Sequence, residues 1–127
     1  MPRRIHHIAI GALDVERVAR FYREALGLTE RASHVDAGGA LRSIWLDADD
    51  AIVMIERAAE ARARVDGVAA GLFIVVFAVG ARERATLEGR LAGMGVEIEE
   101  RTRFTSYARD PEGNRFGFSS WPEPSEG

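Results

Sequence analysis

His7 and Glu56 are the residues best suited to hold a metal ion or move a proton in this chain of 127 residues. An imidazole changes charge near neutral pH, and a carboxylate supplies a hard oxygen donor. Adding His34 gives the one route to a three-donor centre, since first-row divalent metals want at least three protein nitrogens or oxygens. His6 lies on the opposite strand parity from His7 and reads as structural, while His34 sits in a polar strand or loop and reads as a surface residue. Glu56 also reads as a strand-end charge facing Arg57 or Arg42. Cysteine is absent, which excludes disulfides, thiolate nucleophiles and Cys-ligated zinc. No G-x-S-x-G occurs, no serine has an evident His–Asp partner, and no glycine-rich phosphate loop is present, so no catalytic residue is assigned.

A second group of residues suits binding rather than bond making. Trp45 and Ser43 alternate onto one strand face, and Trp121, Ser119, Gly117 and Arg115 alternate onto another. If both faces line one cavity, they make an aromatic-walled pocket with few polar groups, the composition of a small-molecule site. Tyr107 points to the same cavity, and Arg109 beside Asp110 pins the following hairpin.

These residues ride on a repeated plan of elements. In IHHIAIGALDVERVARFYREALGL (5–28) a half-buried strand is followed by an amphipathic helix. Asp14 is placed to cap that helix, and Val18, Phe21, Tyr22, Ala25 and Leu26 form its apolar stripe. Gly27 ends it. Strands are predicted at Ser33–Val35, Leu41–Leu46 and Ala51–Glu56, separated by the turns Gly38-Gly39 and Asp47–Asp50. The plan restarts at FIVVFAVGARERATLEGRLAGMGV, with a strand over Leu72–Val79 and a helix over Glu83–Met94. Strands at Val96–Arg101, Thr105–Ala108 and Arg115–Trp121 follow, the last two joined by a type I turn at Asp-Pro-Glu-Gly. The repeat predicts an α+β fold of two tandem β-α-β-β-β modules. Module one covers 4–56, an alanine-rich joint (short helix or loop) 57–70, module two 71–121 and a tail 122–127.

The totals fit a single compact domain. With 46% hydrophobic and 29% charged residues and a net charge of −3, nothing draws the chain to nucleic acid or an anionic membrane. No stretch approaches the roughly 20 apolar residues of a membrane span, and MPRRIHHIAI lacks the apolar core of a secretory signal. Cytoplasm is the expected compartment, and the Pro/Glu/Ser/Gly tail is expected to fray.

The run HHIAIGALDVERVARFYREALGL, with His at the strand start, Asp before the helix, Phe-Tyr at 21–22 and Leu-Gly-Leu at 26–28, resembles the opening of the vicinal oxygen chelate superfamily. That superfamily includes glyoxalase I, extradiol dioxygenases and the fosfomycin- and bleomycin-resistance proteins. RDPEGNRFGF is similar to its closing hairpin. The resemblance implies a mixed sheet curled into a cup, with one metal ligand on the first and last strand of each module. His7 matches the first of these. The second, a Glu, falls near Val53, three residues before Glu56. The third falls within Ile74–Val76 and the fourth at Gly117, where no residue can ligate a metal. The resemblance therefore implies a degenerate site with no cofactor. It also implies a homodimer whose small-molecule ligand meets His7, Ser43, Trp45, Tyr107, Arg115 and Trp121. A metal-dependent lyase or dioxygenase using His7 and Glu56 is the alternative, and a scaffold or regulatory dimer with a filled cup is a third reading.

Overall fold

The computed structural model describes residues 2–123, so residues 124–127 of the expected frayed tail lie outside the described residues. The chain divides into two compact units, Met1–Ala63 and Arg64–Gly127.

In the first unit β1 (His7–Ala12) leads into α1 (Val15–Leu26). Asp14 caps the helix as its composition demands, its side chain accepting the Arg17 backbone N–H at 3.1 Å. Gly27 closes it at φ 71°, a conformation that a side chain disfavours. The stripe Val15, Val18, Ala19, Tyr22 and Ala25 is buried, and α1 lies against β1, β3 and β4. After α1 come β2 (Thr29–Val35), β3 (Leu41–Ala48) and β4 (Ala51–Arg57), giving a sheet of order β1-β4-β3-β2. β1 runs parallel to β4, and the other pairs are antiparallel. Alternate residues Ile10, Ala12, Ile44, Leu46, Val53 and Ile55 are buried. Each large aliphatic among them contributes about 1.5–3 kcal/mol on leaving water. At the β2–β3 turn Asp36 accepts the Gly38 and Ala40 N–H groups. Arg57 reaches from β4 to Asp36 at 2.8 Å and to the Leu41 carbonyl at 3.0 Å.

The second unit repeats the order with β5 (Val75–Ala78), α2 (Ala81–Gly93), β6 (Glu100–Arg101), β7 (Thr105–Arg109) and β8 (Arg115–Ser119). Its sheet has order β5-β8-β7-β6, with β5 again parallel to β8. Two four-stranded mixed sheets and two helices make the α+β fold that the repeat predicts.

The second unit's strands are shorter than the sequence predicts. Apolar character runs from Leu72 to Val79, yet β5 pairs over only Val75–Ala78, because β8 offers partners only from Phe116 to Ser119. Val96–Arg101 keeps just Glu100 and Arg101 in the ladder, opposite Tyr107 and Ser106. The joint forms neither helix nor strand from 58 to 74. Gly67 and Gly71 take positive φ there, and the Arg109 guanidinium holds the Val65 carbonyl at 2.8 Å, so alanine content does not decide its conformation. None of the helices among the described residues is long and apolar enough to cross a membrane.

Candidate functional site

In the first unit the site residues lie on the sheet face away from α1. The register pairs His7 with Ile52, Ala9 with Met54 and Gly11 with Glu56 across the parallel ladder. Across the antiparallel ladder Ile52 meets Asp47, Met54 meets Trp45 and Glu56 meets Ser43, and Trp45 and Ser43 in turn meet Ala32 and His34. Paired residues share a face, so His7, Trp45, Ser43, His34 and Glu56 all belong to one surface. His7, Ala9 and Gly11 are exposed on it, while Ser43 is only 2% accessible.

Trp45 stands at the centre of this face. The His7 ring is stacked with it, 15° from parallel and 6.3 Å between centroids. His34 meets it edge-on at 5.0 Å. His6 and His7 share a hydrogen bond between their Nδ1 atoms at 2.9 Å. The indole Nε1 of Trp45 and the Nε2 of His34 are both buried with no hydrogen-bond partner. Such groups cost about 1–3 kcal/mol each while unmatched, which makes this the conspicuous polar irregularity of the unit. His34 is thus a half-buried member of the cluster and not the surface residue its polar neighbours suggest. The cue was available in its cross-strand partner Ser43, once β2 is paired.

Glu56 faces the same way as His7, but the register sets it beside Gly11, four residues along β1. At about 3.3 Å per residue their backbones are roughly 13 Å apart along the strands, so the two are not neighbours on the face. Neither Arg42 nor Arg57 pairs with Glu56: Arg57 is engaged by Asp36, and no ion pair or hydrogen bond to Glu56 occurs among the described residues. Val53 is buried on the α1 side, so the face-lining residues of β4 on either side of it are Ile52 and Met54.

The second unit brings Tyr107 and Arg115 together. The Arg115 guanidinium lies 4.5 Å from the centre of the Tyr107 ring and is paired with Glu100 at 2.7 Å. Its Nε is buried without a hydrogen-bond partner, with Glu99 Oε2 4.0 Å away. Arg109 does pin the hairpin, donating to the Gly113 carbonyl at 3.0 Å, and it also grips both oxygens of Glu99. Ser119 is hydrogen-bonded to Thr105 at 2.8 Å. Trp121 lies past the end of β8 in a turn and is 71% exposed, so it shares no strand face with Arg115.

A four-donor metal centre does not fit these residues. In the second unit Val76 stands directly opposite Gly117, so neither strand supplies a donor there. Gly117 is moreover roofed by the Tyr107 ring, since an added Cβ would lie 3.2 Å from Tyr107 Cδ1. Among the described residues no three His, Asp or Glu side chains converge closely enough to hold an ion.

Solved structures with the same architecture include lactoylglutathione lyase from Agrobacterium tumefaciens, at 20% identity and TM-score 0.69, covering 96% of this chain and 98% of that one. The fosfomycin resistance protein FosX from Listeria monocytogenes, complexed with Mn(II) and sulfate ion, matches at 17% identity and TM-score 0.75 over 94% of this chain and 93% of its own. The oxidase ChaP-H2 matches at 18% identity and TM-score 0.76 over the full length of both chains. No match is found among curated proteins. At these identities the structures speak for the fold alone, but the family model for the Glyoxalase/Bleomycin resistance protein/Dioxygenase superfamily matches residues 4–118. Its span takes in both β-α-β-β-β units, and the chain belongs to that superfamily.

Proposed function

We propose that the protein binds a small, partly aromatic molecule without a metal, and that Trp45 is the principal contact. The observation that carries this reading is the pair of buried, unmatched ring nitrogens on Trp45 and His34, beside an imidazole already stacked on the same indole. Stacking on an indole is worth about 0.5–1.5 kcal/mol beyond the area it buries. In this reading His7 and Ser43 orient the ligand's polar groups. Sequestration of the ligand is the activity such a site performs. We also infer a cytoplasmic homodimer, checked by sedimentation against twice the chain mass of 13.9 kDa.

The test is a titration with 1-naphthylmethanol, a neutral aromatic probe, followed by isothermal calorimetry. Saturable binding that is lost or weakens about tenfold in Trp45→Ala is expected. Binding unaltered in Trp45→Ala overturns the role given to Trp45, and the second measurement is metal content. One equivalent of transition metal retained after mild chelation and reconstitution overturns the metal-free reading. It would favour a metal-dependent lyase or dioxygenase using His7 and Glu56. The Mn(II) in the FosX structure is what keeps that second reading in view. Activity unchanged in His7→Ala/Glu56→Ala would remove it.

A further inference from the structure

Glu56 is the unpaired charge of the first unit's ligand face. Asp47, the other carboxylate there, is held by Arg31 at 2.6 Å. Arg57 follows Glu56 in sequence but is committed to Asp36 and to the Leu41 carbonyl. Arg42 is exposed and lies on the parity of Ile44 and Leu46, away from this face. Glu56 itself is half-buried and, among the described residues, its carboxylate has no hydrogen bond or ion pair. A carboxylate in that position has lost part of its hydration without gaining a donor.

The surroundings leave room for the missing donor. Gly11 stands directly opposite Glu56 on β1, and a Cβ built at Gly11 would meet only the Cβ of Ala58, at 3.7 Å. Ala9 is the next residue toward Trp45 on the same face. The small pair Ala9 and Gly11 thus floors an unfilled strip beside Glu56. Trp45 lies two residues from Ser43, the cross-strand partner of Glu56, so the indole and the carboxylate are separated by about 7 Å along the strands. An aromatic ring on Trp45 can carry a short arm past Met54 and Ser43 to Glu56, whose other side, toward Gly11, is open.

We infer that the ligand carries a protonated nitrogen, an amine or amidinium, on a short arm from its aromatic ring, and that Glu56 receives that nitrogen. The inference rests on the binding reading above. A hydrogen bond to a charged group is stronger than a neutral one and adds selectivity against anions.

Three probes with one ring system separate the terms: 1-naphthylmethylamine (cation), 1-naphthylmethanol (neutral) and 1-naphthylacetate (anion), titrated at neutral pH by isothermal calorimetry. The amine is expected to bind at least about tenfold more tightly than the alcohol, with the acetate weakest. Glu56→Gln should bring amine and alcohol to within about twofold of each other, with the amine losing much more affinity than the alcohol. Gly11→Val should weaken the amine most, since it fills the strip beside Glu56 and leaves the carboxylate in place. Circular dichroism confirms that each variant folds. Equal affinity for amine and alcohol, or an amine preference that survives Glu56→Gln, overturns the assignment. If Trp45→Ala still weakens both in that case, the face itself remains a ligand site. Failure of all three probes to bind at about 1 mM takes down the binding reading and this one together.

Discussion

The Tyr107 ring covers the point from which a side chain at residue 117 would grow. A Cβ on Gly117 would sit 3.2 Å from Tyr107 Cδ1 and 3.0 Å from the Ser106 carbonyl oxygen. The Arg115 guanidinium then stacks on that same ring.

Replacing Gly117 is therefore expected to be costly even with the small residue alanine. The Ser106 carbonyl belongs to the backbone of β7 and cannot swing aside, so Gly117→Ala should lose about 1–3 kcal/mol by overpacking. Urea denaturation measures this directly. The double change Val76→His/Gly117→Glu, which restores donor residue types, should still show no thermal stabilisation by Mn(II). A clear rise in Tm with Mn(II) would show that the Tyr107 roof can open.

Arg84 should be the most sensitive residue of α2. It is 4% exposed, and its guanidinium donates to Ser106 Oγ and to the carbonyls of Thr102, Arg103 and Thr105. It ties the helix to the loop between β6 and β7. Arg84→Met is expected to cost about 3–5 kcal/mol by leaving those acceptors unmatched beside Glu88. Arg84→Lys should recover only part of this, because one ammonium cannot spread over four acceptors. Denaturant midpoints within experimental error of the parent would refute the role.

Glu88 gives the second unit an acid-sensitive contact. Burial pushes its carboxyl upward. The Ser106 hydroxyl and the Arg101 guanidinium, with Arg84 nearby, outweigh this and hold it below its ordinary value. A lowered native pKa means that the ionised group stabilises the fold. That stabilisation is complete above the unfolded carboxyl pKa of about 4.3 and disappears as pH falls through the native value. The parent's stability advantage over Glu88→Gln should be largest at neutral pH and shrink on acidification below about pH 4.3. A pH-independent difference between the two unfolding curves would contradict this assignment.

What could be read from the sequence follows the range of the forces involved. Asp14 and Gly27 bound α1 where local chemistry says they should, since a cap and a left-handed turn need only neighbouring residues. The shared face of Trp45 and Ser43 follows from alternation alone. Glu56 is different, because its side is set by a parallel register between strands some forty residues apart, and a one-residue slip would reverse it. His34 was hidden for the same reason, behind a strand whose pairing to β3 is irregular at two points. Arg84 left a cue: it shares the apolar stripe of Leu87 and Leu91, where a charged residue needs buried partners. Those partners lie in a loop about twenty residues on, and no local pattern announces them. Trp121 looked like a strand residue from its parity, but the ladder stops at Ser119, ahead of Trp121 and Pro122.

Each unit joins its first strand to its last: among the described residues β1 pairs with β4, and β5 with β8. The opening strand of each unit thus waits through a whole helix and two further strands for its hydrogen bonds, a long-range closure that slows folding. During synthesis the first unit has every strand of its sheet once Arg57 has emerged. The second cannot close until Ser119 has emerged. A chain cut short before Arg115 would lose β8 and leave β5 an unpaired edge open to aggregation.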